Sequence, residues 1–528
     1  MEKKNKKEVS GRSKWLKRMR KYHKWPGIVL TLFIFLFSIS GIIMNHRDWF
    51  STVDVNRKLL PSDYHIKNWD LASIKSSVQV SPNDLVIYGN IGAWLTDNEM
   101  SYFIDLNEGF GKGIDNRKVE AMLLTSKGDL LAGTLFGLYK YSGENWEKIE
   151  IPGSELRIND LIEHNEEIHI LTRSYLIKSQ DLENFTITIL PPPIDYDNKV
   201  SLFKTLWTLH SGEMFGHWGK ILVDIFALAL LFLAITGLLH WLFPKWIKRR
   251  RKKNLPREKI RKSMVKNLKL HNEVGYIMAI FLIFTAATGM FLRPPLLIPI
   301  ASAKVSKIPH SKMDTSNPWY DNLRRIVWDD DHNAYLVSTT DGFYFFEEPF
   351  TEPPYAPANQ PPVSVMGCTV LMKDTILPNH YLVGSFTGLF LWDVHTDAVF
   401  DYMKQKPYEK PNKVGSPISD HLISGFISTG QGNLVIDYAH GMISTDKELQ
   451  VPNMPQVILD NTPISLWNVA LEVHTGRIFN HLIGPLYILY IPLFGMAIII
   501  VLISGVVIWW LAYKKKKSKV TMRRKVHP

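Results

Sequence analysis

Cysteine is almost absent from this sequence, because the only thiol among its 528 residues is Cys368. A single cysteine excludes an intramolecular disulfide, a cysteine-ligated iron–sulfur cluster and a cysteine-rich zinc site within the chain. Any metal chemistry in this protein must therefore use histidine.

Nucleotide-binding and hydrolytic motifs are also missing. The glycine-rich run GFGKG at 109–113 lacks the preceding strand and following helix that a dinucleotide fingerprint needs. No set of residues resembles a hydrolase constellation. If the protein carries electrons, they must come from a separate cytoplasmic or membrane donor.

Long apolar runs are present instead. Four of them, at 28–44, 221–243, 275–292 and 482–511, are each long enough to cross a hydrocarbon core, which takes roughly 20 helical residues. The sequence therefore predicts an integral membrane α-helical protein with four transmembrane helices, which we place at 25–46, 206–243, 270–293 and 466–513.

Basic residues predict the orientation of these helices. The net charge of +12 is concentrated in three stretches, residues 1–24, 244–269 and 514–528. Short segments rich in Lys and Arg stay on the cytoplasmic side of a membrane. The charge is therefore a topology signal, and we expect no nucleic-acid partner. Because no small-residue cleavage pattern follows the first helix, we interpret it as an uncleaved anchor. We expect a multi-pass protein in the lipid of the bacterial cytoplasmic (inner) membrane, with both termini cytoplasmic.

Two long segments, 47–205 and 294–465, are then expected outside the cytoplasm. They contain short strand pairs around glycine turns, for example at 130–149 and 380–394. About three such units occur in each segment. This pattern predicts two β-rich extracytoplasmic segments, either blades of a shared β-propeller or an unrelated pair of β-rich domains.

An internal repeat relates helix one to helix three. In both helices a histidine is followed by a glycine four residues later. A hydroxyl-glycine pair, formed by a serine or threonine and a glycine, comes further on, and its glycine lies eighteen residues after the histidine. The two copies are His23 with Gly27 and Ser40-Gly41, and His271 with Gly275 and Thr288-Gly289.

Helices two and four repeat as well. Each has two histidines seven residues apart and a later hydroxyl-glycine pair: His210, His217 and Thr236-Gly237 in one, and His474, His481 and Ser504-Gly505 in the other. The chain is thus two copies of helix, outer segment and helix in the same orientation. Parallel repeats imply a pseudo-two-fold axis along the membrane normal.

That axis would bring equivalent histidines face to face, as the axial ligand pair of a b-type heme requires. His23 and His271 would pair near the cytoplasmic face. Near the outer face the pair would be His210 with His474 or, alternatively, His217 with His481. We expect heme b as the cofactor, two hemes in number, with three as the alternative if both outer pairs bind.

Glycines would let a flat macrocycle lie against a helix, because no side chain projects there. Gly41 and Gly289 fall near the outer ends of their helices, and Gly237 and Gly505 near the inner ends. A lone histidine at a membrane boundary is usually an interfacial polar residue, but repeated spacing favours ligation. His46 and His240 lack counterparts, so we expect them at the interface or bonded to a heme propionate.

These motifs resemble those of the PepSY-associated transmembrane proteins, which include membrane reductases for ferric siderophores. The resemblance covers all four helices. The second family motif, a Leu-His with later glycines, is similar to Leu209-His210, Gly216 and Gly219-Lys220. The resemblance favours His210 and His474 as the outer ligands. Depth favours His217 and His481, because 27 residues from His210 to Gly237 would make about 40 Å of straight helix.

The expected function is transmembrane electron transfer through b-type hemes to an outer acceptor, by the resemblance a ferric siderophore or other small-molecule ferric chelate. The main alternative is a non-enzymatic heme-binding sensor or assembly protein whose outer β-domain binds protein or peptide. Transport of the chelate itself is a weaker third reading, because four helices make a small pathway.

Overall fold

The computed structural model describes residues 2–153, 156–364, 367–374, 376–410, 419–445 and 449–524, with side chains at the ends described from residue 14 to residue 512. The predicted basic tail lies partly outside these residues, since 525–528 are not described and neither are the side chains of 513–524. The same holds for the side chains of the first 13 residues of the basic N-terminus.

The chain divides into two compact units, each assembled from segments distant in sequence. The helical unit comprises residues 1–48, 199–314 and 467–528. The sheet unit comprises residues 49–198 and 315–466. The four apolar runs fall in the first unit and most of the two long polar segments in the second.

The described α-helices are α1 (Glu2–Asn45), α2 (Arg47–Phe50), α3 (Leu202–Ser211), α4 (Gly216–Lys252), α5 (Glu258–Met290), α6 (Gln456–Asp460), α7 (Leu466–His474), α8 (Asn480–Ile483) and α9 (Tyr490–Arg524). Four stretches are long and apolar enough to cross a membrane: Lys14–Asn45, Glu213–Lys252, Glu258–Met290 and Arg477–Ala512. The prediction of four membrane-spanning helices is confirmed at this level of length and composition.

Glycines break the chain just before two of these helices. Gly212 and Gly216, with φ of 78° and 64°, separate α3 from α4, and Gly476 and Gly484, with φ of 77° and 55°, lie between α7 and α9. Glycine adopts such positive φ angles without steric cost. The second and fourth helices are therefore interrupted, whereas the sequence predicts 206–243 and 466–513 each as one continuous helix.

The four long helices pack around one another in the order α1, α4, α5, α9, so α1 lies diagonally across from α5 and α4 across from α9. Equivalent helices of the two sequence copies thus occupy opposite corners, as the repeat predicts. Apolar side chains fill the space between the helices, among them Leu30, Phe226, Leu282 and Leu502.

Among its described residues, the sheet unit contains six antiparallel sheets of three to five strands and one two-stranded pair. Strands β1 (Asp54–Val55) and β27 (Ile464–Ser465) pair with each other. Sheet 1 contains β2 (Ser76–Gln79), β3 (Asp84–Gly89), β4 (Gly92–Asp97) and β5 (Ile104–Asp105). Sheet 2 contains β6 (Val119–Leu124), β7 (Leu130–Thr134), β8 (Leu138–Tyr141) and β9 (Trp146–Ile149). Sheet 3 contains β10 (Ile158–His164), β11 (Glu167–Thr172), β12 (Leu176–Ser179) and β13 (Thr186–Thr188).

The second polar segment supplies the other three sheets, after β14 (Lys199–Ser201) and β15 (Lys304–Ser306) pair within the helical unit. Sheet 4 contains β16 (Leu323–Asp329), β17 (Ala334–Thr339) and β18 (Phe343–Phe346). Sheet 5 contains β19 (Val370–Lys373), β20 (His380–Ser385), β21 (Gly388–Asp393), β22 (Ala398–Asp401) and β23 (Lys406–Pro407). Sheet 6 contains β24 (Ile423–Thr429), β25 (Gly432–Asp437) and β26 (Gly441–Ser444).

Buried apolar clusters join each sheet to the next. One more cluster, which includes Ile87 of sheet 1 and Ile436 of sheet 6, joins the last sheet to the first. The expectation of β-rich segments with about three strand units each is confirmed, because each segment supplies three small sheets. Cys368 is buried in this unit as a free thiol, and burial raises its pKa to about 12.

Candidate functional site

Two histidines of the helical unit, the inner pair, face each other across the bundle. His23 lies on α1 and His271 on the diagonally opposite α5. Their ring centroids are 6.3 Å apart, with 76° between the ring planes. The structure therefore brings together the two residues that the first repeat predicts as partners.

A second facing pair, the outer pair, is formed by His210 at the end of α3 and His474 at the end of α7. Their ring centroids are 6.2 Å apart, with 62° between the planes. Gly41 on α1 lies against His474, and it is 18 residues beyond His23. The two pairs are thus separated by about 27 Å along the continuous helix α1, close to the thickness of a hydrocarbon core.

The Nδ1 atom of each of the four histidines lies beside a serine or threonine hydroxyl. The contacts are His23 with Ser504 at 3.0 Å, His271 with Thr236 at 2.8 Å, His474 with Ser40 at 2.9 Å and His210 with Thr288 at 3.4 Å. Each hydroxyl belongs to a hydroxyl-glycine pair of the sequence repeat. The sequence showed these pairs, but their role in holding the rings becomes visible only in the structure.

These contacts define which ring nitrogen carries the proton. Each hydroxyl donates its own proton to a carbonyl of its helix, so toward the imidazole it acts as an acceptor. Carbonyl oxygens of Val501 and Thr285 also lie 3.0 and 2.9 Å from Nδ1 of His23 and His210. The Nδ1 atom is therefore the donor, and the lone pair of a neutral ring remains on Nε2.

The glycine of each hydroxyl-glycine pair makes room for the same imidazole. A Cβ atom added at the glycine would approach Cε1 of a histidine ring: Gly289 with His210 at 2.6 Å, Gly505 with His23 at 3.1 Å, Gly237 with His271 at 3.4 Å and Gly41 with His474 at 3.5 Å. From the sequence, these glycines are predicted to face a macrocycle. The structure places each of them beside a histidine ring from another helix.

The spacing of the rings is suited to one metal ion between two imidazoles. A metal–nitrogen bond of about 2 Å, plus roughly 1 Å from nitrogen to ring centre, puts two opposed imidazole centroids about 6 Å apart. Both pairs have this spacing. Metal-ligating histidines also commonly donate their other ring N–H, as these four do.

The alternative outer histidines lie elsewhere. His217, at the start of α4, is exposed and has Trp218 as a ring neighbour at 6.0 Å. His481 is exposed as well, and its Nδ1 lies 2.8 Å from the carbonyl of Ile478. The structure thus brings His210 and His474 together and leaves His217 and His481 on the surface of the helical unit.

The break before α4 removes the depth argument against His210. That argument assumed 27 residues of straight helix between His210 and Gly237. Because the chain turns at Gly212 and Gly216, His210 lies instead against Gly289 near the C-terminal end of α5.

The two unrepeated histidines have different surroundings. Nε2 of His46 lies 2.5 Å from Oδ2 of Asp224, and Asn45 donates to the other carboxylate oxygen at 3.3 Å. Asp224, the one carboxylate of α4, thus connects α4 to the end of α1. Nδ1 of His240 is buried and has no hydrogen-bond partner among the described residues.

Buried donors without partners also lie near the outer pair. Nε of Arg477 and the hydroxyl of Tyr490 have no hydrogen-bond partner within the described part of the chain. Arg477 pairs with Glu472, and Arg293 lies close enough to Arg477 and His474 for their charges to interact. Two guanidinium groups and one carboxylate thus lie near this pair.

These features are typical of a membrane protein, with four helices long and apolar enough to span and two half-buried, facing histidine pairs. Within that class, the model of the PepSY-associated TM region matches residues 2–243 and 245–512. The chain belongs to this family. The family resemblance found in the sequence is confirmed.

Comparisons with other proteins add little beyond the family. No curated protein matches the chain. Among the solved structures that align with it are the extracellular domain of the hybrid two-component system BT4673 from B. thetaiotaomicron (TM-score 0.34, 11% identity, 70% of this chain and 32% of that chain), the WD40 β-propeller domain of Doa1 (0.31, 7%, 72% and 96%) and YCF48 bound to D1 peptide (0.30, 9%, 73% and 96%). The chain spans about a third of the first of these structures.

Proposed function

We propose that this protein carries electrons across the bacterial cytoplasmic membrane on two b-type hemes, one held by His23 and His271 and the other by His210 and His474. The observation that carries the proposal is that two imidazoles face each other in both the inner and the outer pair. In each ring a hydroxyl of a hydroxyl-glycine pair holds Nδ1, which leaves Nε2 as the free ligand atom. Heme iron with two imidazole ligands takes up and releases one electron without exchanging its ligands.

The residues around the pairs support a cofactor larger than a bare metal ion. Heme b carries propionate groups, which need cationic or hydrogen-bonding partners when they are buried. The unpartnered Nε of Arg477 and the nearby Arg293 offer such partners at the outer pair. At the inner pair His240, with its unpartnered Nδ1, is the corresponding candidate.

The apolar packing between the two levels favours electron transfer over transport of a chelate. Ile34, Leu233 and Leu502 are among the buried side chains that fill the bundle there. Moving a hydrated chelate through such a layer would require large repacking, because protein interiors are close-packed. An electron needs no such opening.

The acceptor that we propose is an extracytoplasmic ferric siderophore or other ferric chelate, reduced for iron uptake, with a separate donor on the cytoplasmic side. The experiment is a spectrum of the purified chain, reduced with dithionite and then mixed with ferric chelates. A bis-histidine low-spin spectrum and reoxidation by the chelate are the expected results. Protein that binds heme but is not reoxidised by ferric chelates would instead support the heme-binding sensor or assembly alternative, and folded protein without heme would contradict the proposal.

The proposed orientation rests on the basic stretches of the sequence. Both termini and the loop at 244–269 would be cytoplasmic, and both long polar segments would be external. Reporter fusions near residue 255 should therefore read as cytoplasmic, and fusions near residues 150 and 400 as external. An external signal at residue 255 would overturn the orientation.

We further propose that the six sheets form a closed, six-bladed β-propeller. The support is the apolar cluster between sheets 6 and 1, together with the hydrogen bond from the Phe426 N–H to the Lys75 carbonyl at 2.9 Å. Ser77 of β2 also lies 3.5 Å from the Ser428 carbonyl of β24. Cysteines introduced at 77 and 428 should therefore cross-link within one chain. A cross-link that forms only between chains would contradict ring closure.

A further inference from the structure

Three metal-ligating side chains meet at one end of sheet 6, in the sheet unit. Strand β25 ends at Asp437, and the antiparallel register places it opposite Ile423 at the start of β24. His421 lies two residues before Ile423, and His440 lies in the turn that leads from β25 to β26. Strand pairing thus brings two imidazoles to one carboxylate.

The carboxylate of Asp437 lies between the two rings. Its Oδ2 is 3.2 Å from Nδ1 of His421, and its Oδ1 is 3.2 Å from Nδ1 of His440. One ligand atom from each residue lies within 4.8 Å of the other two. Ligands on a common ion at bonds of about 2 Å are roughly 3 to 4 Å apart. Small rotations of the rings therefore suffice to close the set around an ion.

Backbone hydrogen bonds fix the carboxylate of Asp437 in place. The N–H groups of Ala439 and His440 donate to its Oδ1, at 2.8 and 3.0 Å. The Leu422 N–H also donates to Oδ2, at 3.2 Å. Such bonds orient a ligating carboxylate in the way that outer groups support known metal sites.

The two rings leave the other side of the cluster open. The His421 side chain is 35% exposed and that of His440 is 61% exposed, whereas Asp437 is fully buried. An ion bound here would thus rest on a fixed, buried carboxylate and keep positions for water or another ligand.

Another aspartate of the same unit shows what a merely structural cluster looks like. Asp329 accepts a hydrogen bond from His332, at 3.1 Å, but its other side-chain partner is the hydroxyl of Tyr381, at 2.6 Å. A neutral tyrosine hydroxyl is a weak metal ligand. A single imidazole is therefore enough to satisfy the aspartate in such a turn. The second imidazole at Asp437 has no such structural purpose.

A second cluster of the unit is already occupied by a cation. Glu167, His169 and Glu348 converge, but the ammonium of Lys178 pairs with both carboxylates there. No such ammonium is among the described partners of Asp437.

We propose that His421, Asp437 and His440 bind a first-row divalent transition-metal ion through two imidazoles and one carboxylate. Imidazole ligands suit zinc, copper, iron and nickel, whereas Mg²⁺ and Ca²⁺ take oxygen ligands. Two histidines and one carboxylate with open positions are also the donor set of non-heme ferrous sites. The proposal is independent of the hemes, because no residue of the helical unit takes part.

The test is calorimetric titration of the full, tag-free chain with Zn²⁺, supported by equilibrium dialysis with Fe²⁺ under anaerobic conditions. We expect a Zn²⁺ site that excess Mg²⁺ does not displace, and an affinity at least tenfold lower in His421→Gln and in His440→Gln. His332→Gln, at the otherwise similar Asp329 turn, is the matched control and should bind as the wild type does.

The result that overturns the proposal is unchanged Zn²⁺ affinity and stoichiometry in the double variant with both His421→Gln and His440→Gln. An equal loss in His332→Gln would also overturn it, because binding would then be a general property of surface histidines. Since His440 is mostly exposed, its substitution is expected to leave folding intact, and the near-ultraviolet circular dichroism spectrum checks this.

Discussion

Cε1 of His210 lies so close to Gly289 that a Cβ atom at that position would come within 2.6 Å of it. Ordinary contacts between carbon atoms are about 3.5 to 4.0 Å. The imidazole of His210 thus occupies the space that the side chain of any residue other than glycine would fill at position 289 of α5. The absence of a side chain at Gly289 is a condition for the position of His210, and through it for the outer pair.

The first prediction follows from this contact. Gly289→Ala should displace His210 and lower the affinity for the outer heme by about 10–100-fold, because overpacking of this kind costs roughly 1–3 kcal/mol. Gly41→Ala is the matched control, since its Cβ would meet His474 of the same pair at an ordinary 3.5 Å. The measurement is the heme-to-protein ratio after dilution. Equal ratios in the two variants would contradict the steric role of Gly289.

The second prediction concerns the hydroxyl of Thr236, which accepts the Nδ1 proton of His271 at 2.8 Å. Thr236→Val should keep the inner heme, weaken its binding about 10–100-fold and move its midpoint potential in the positive direction, because the ring becomes a poorer donor. Thr31→Val is the control, since the Thr31 hydroxyl donates to the Gly27 carbonyl of its own helix and has no histidine partner among the described residues. A redox titration that gives the same potential for both variants would refute this role.

The histidine pairs could be predicted from the sequence because a repeat makes equivalent positions visible without knowledge of the fold. His23 and His271 share the same spacing to their glycines, and a two-fold axis brings such positions together. The partner of each glycine could not be predicted in this way, because it depends on which helix lies beside it. Gly505, for example, contacts His23 from the other end of the chain.

The breaks before α4 and α9 are harder to recognise from the sequence. Glycine is common in membrane helices, so Gly212 and Gly476 do not by themselves mark a turn. The number of sheets was predictable from the glycine turns, but the contact that joins sheet 6 to sheet 1 was not. The cluster at Asp437 was missed for a similar reason, since His421 reaches it only through the register of β24 and β25.

The third prediction tests the inner pair. His23→Ala and His271→Ala should each remove the same heme, because an iron that loses one axial imidazole is held by a single protein bond. The heme-to-protein ratio and the low-spin spectrum of each variant provide the measurement. His217→Ala, which changes an exposed ring, should retain both hemes. Full heme content in both inner-pair variants would exclude this assignment.

The fourth prediction concerns the pH dependence of the sheet unit. Burial, reinforced by the nearby ammonium of Lys178, lowers the pKa of His169 from 6.5 to about 4. The ring has a polar neighbour at each nitrogen, since Nδ1 lies 3.1 Å from the Glu167 carbonyl and Nε2 lies 2.9 Å from the Tyr335 hydroxyl, which donates to Glu348. The folded state therefore resists protonation of a side chain that the unfolded state protonates readily.

The sign of the effect follows from proton binding. Between pH 6.5 and pH 4 the unfolded chain binds more protons at this position, so stability is fully present above pH 6.5 and falls as the pH approaches 4. The loss is about 3 kcal/mol at most, because each unit of pKa difference corresponds to about 1.4 kcal/mol. In urea titrations, His169→Gln should lose less stability over this range than the wild type. His395→Gln, which changes an exposed histidine, should not, and an identical pH profile in all three proteins would refute the prediction.

The fifth prediction separates the two sets of outer histidines. His210→Ala and His474→Ala should each lose the outer heme, because their rings face each other at 6.2 Å and each is held at Nδ1 by a hydroxyl of another helix. His217→Ala and His481→Ala should keep it, since both rings are exposed. Heme content and the midpoint potential of each single variant distinguish the cases. If all four variants lose heme in two separable steps, a third heme is present and the exposed histidines must move to form a pair of their own.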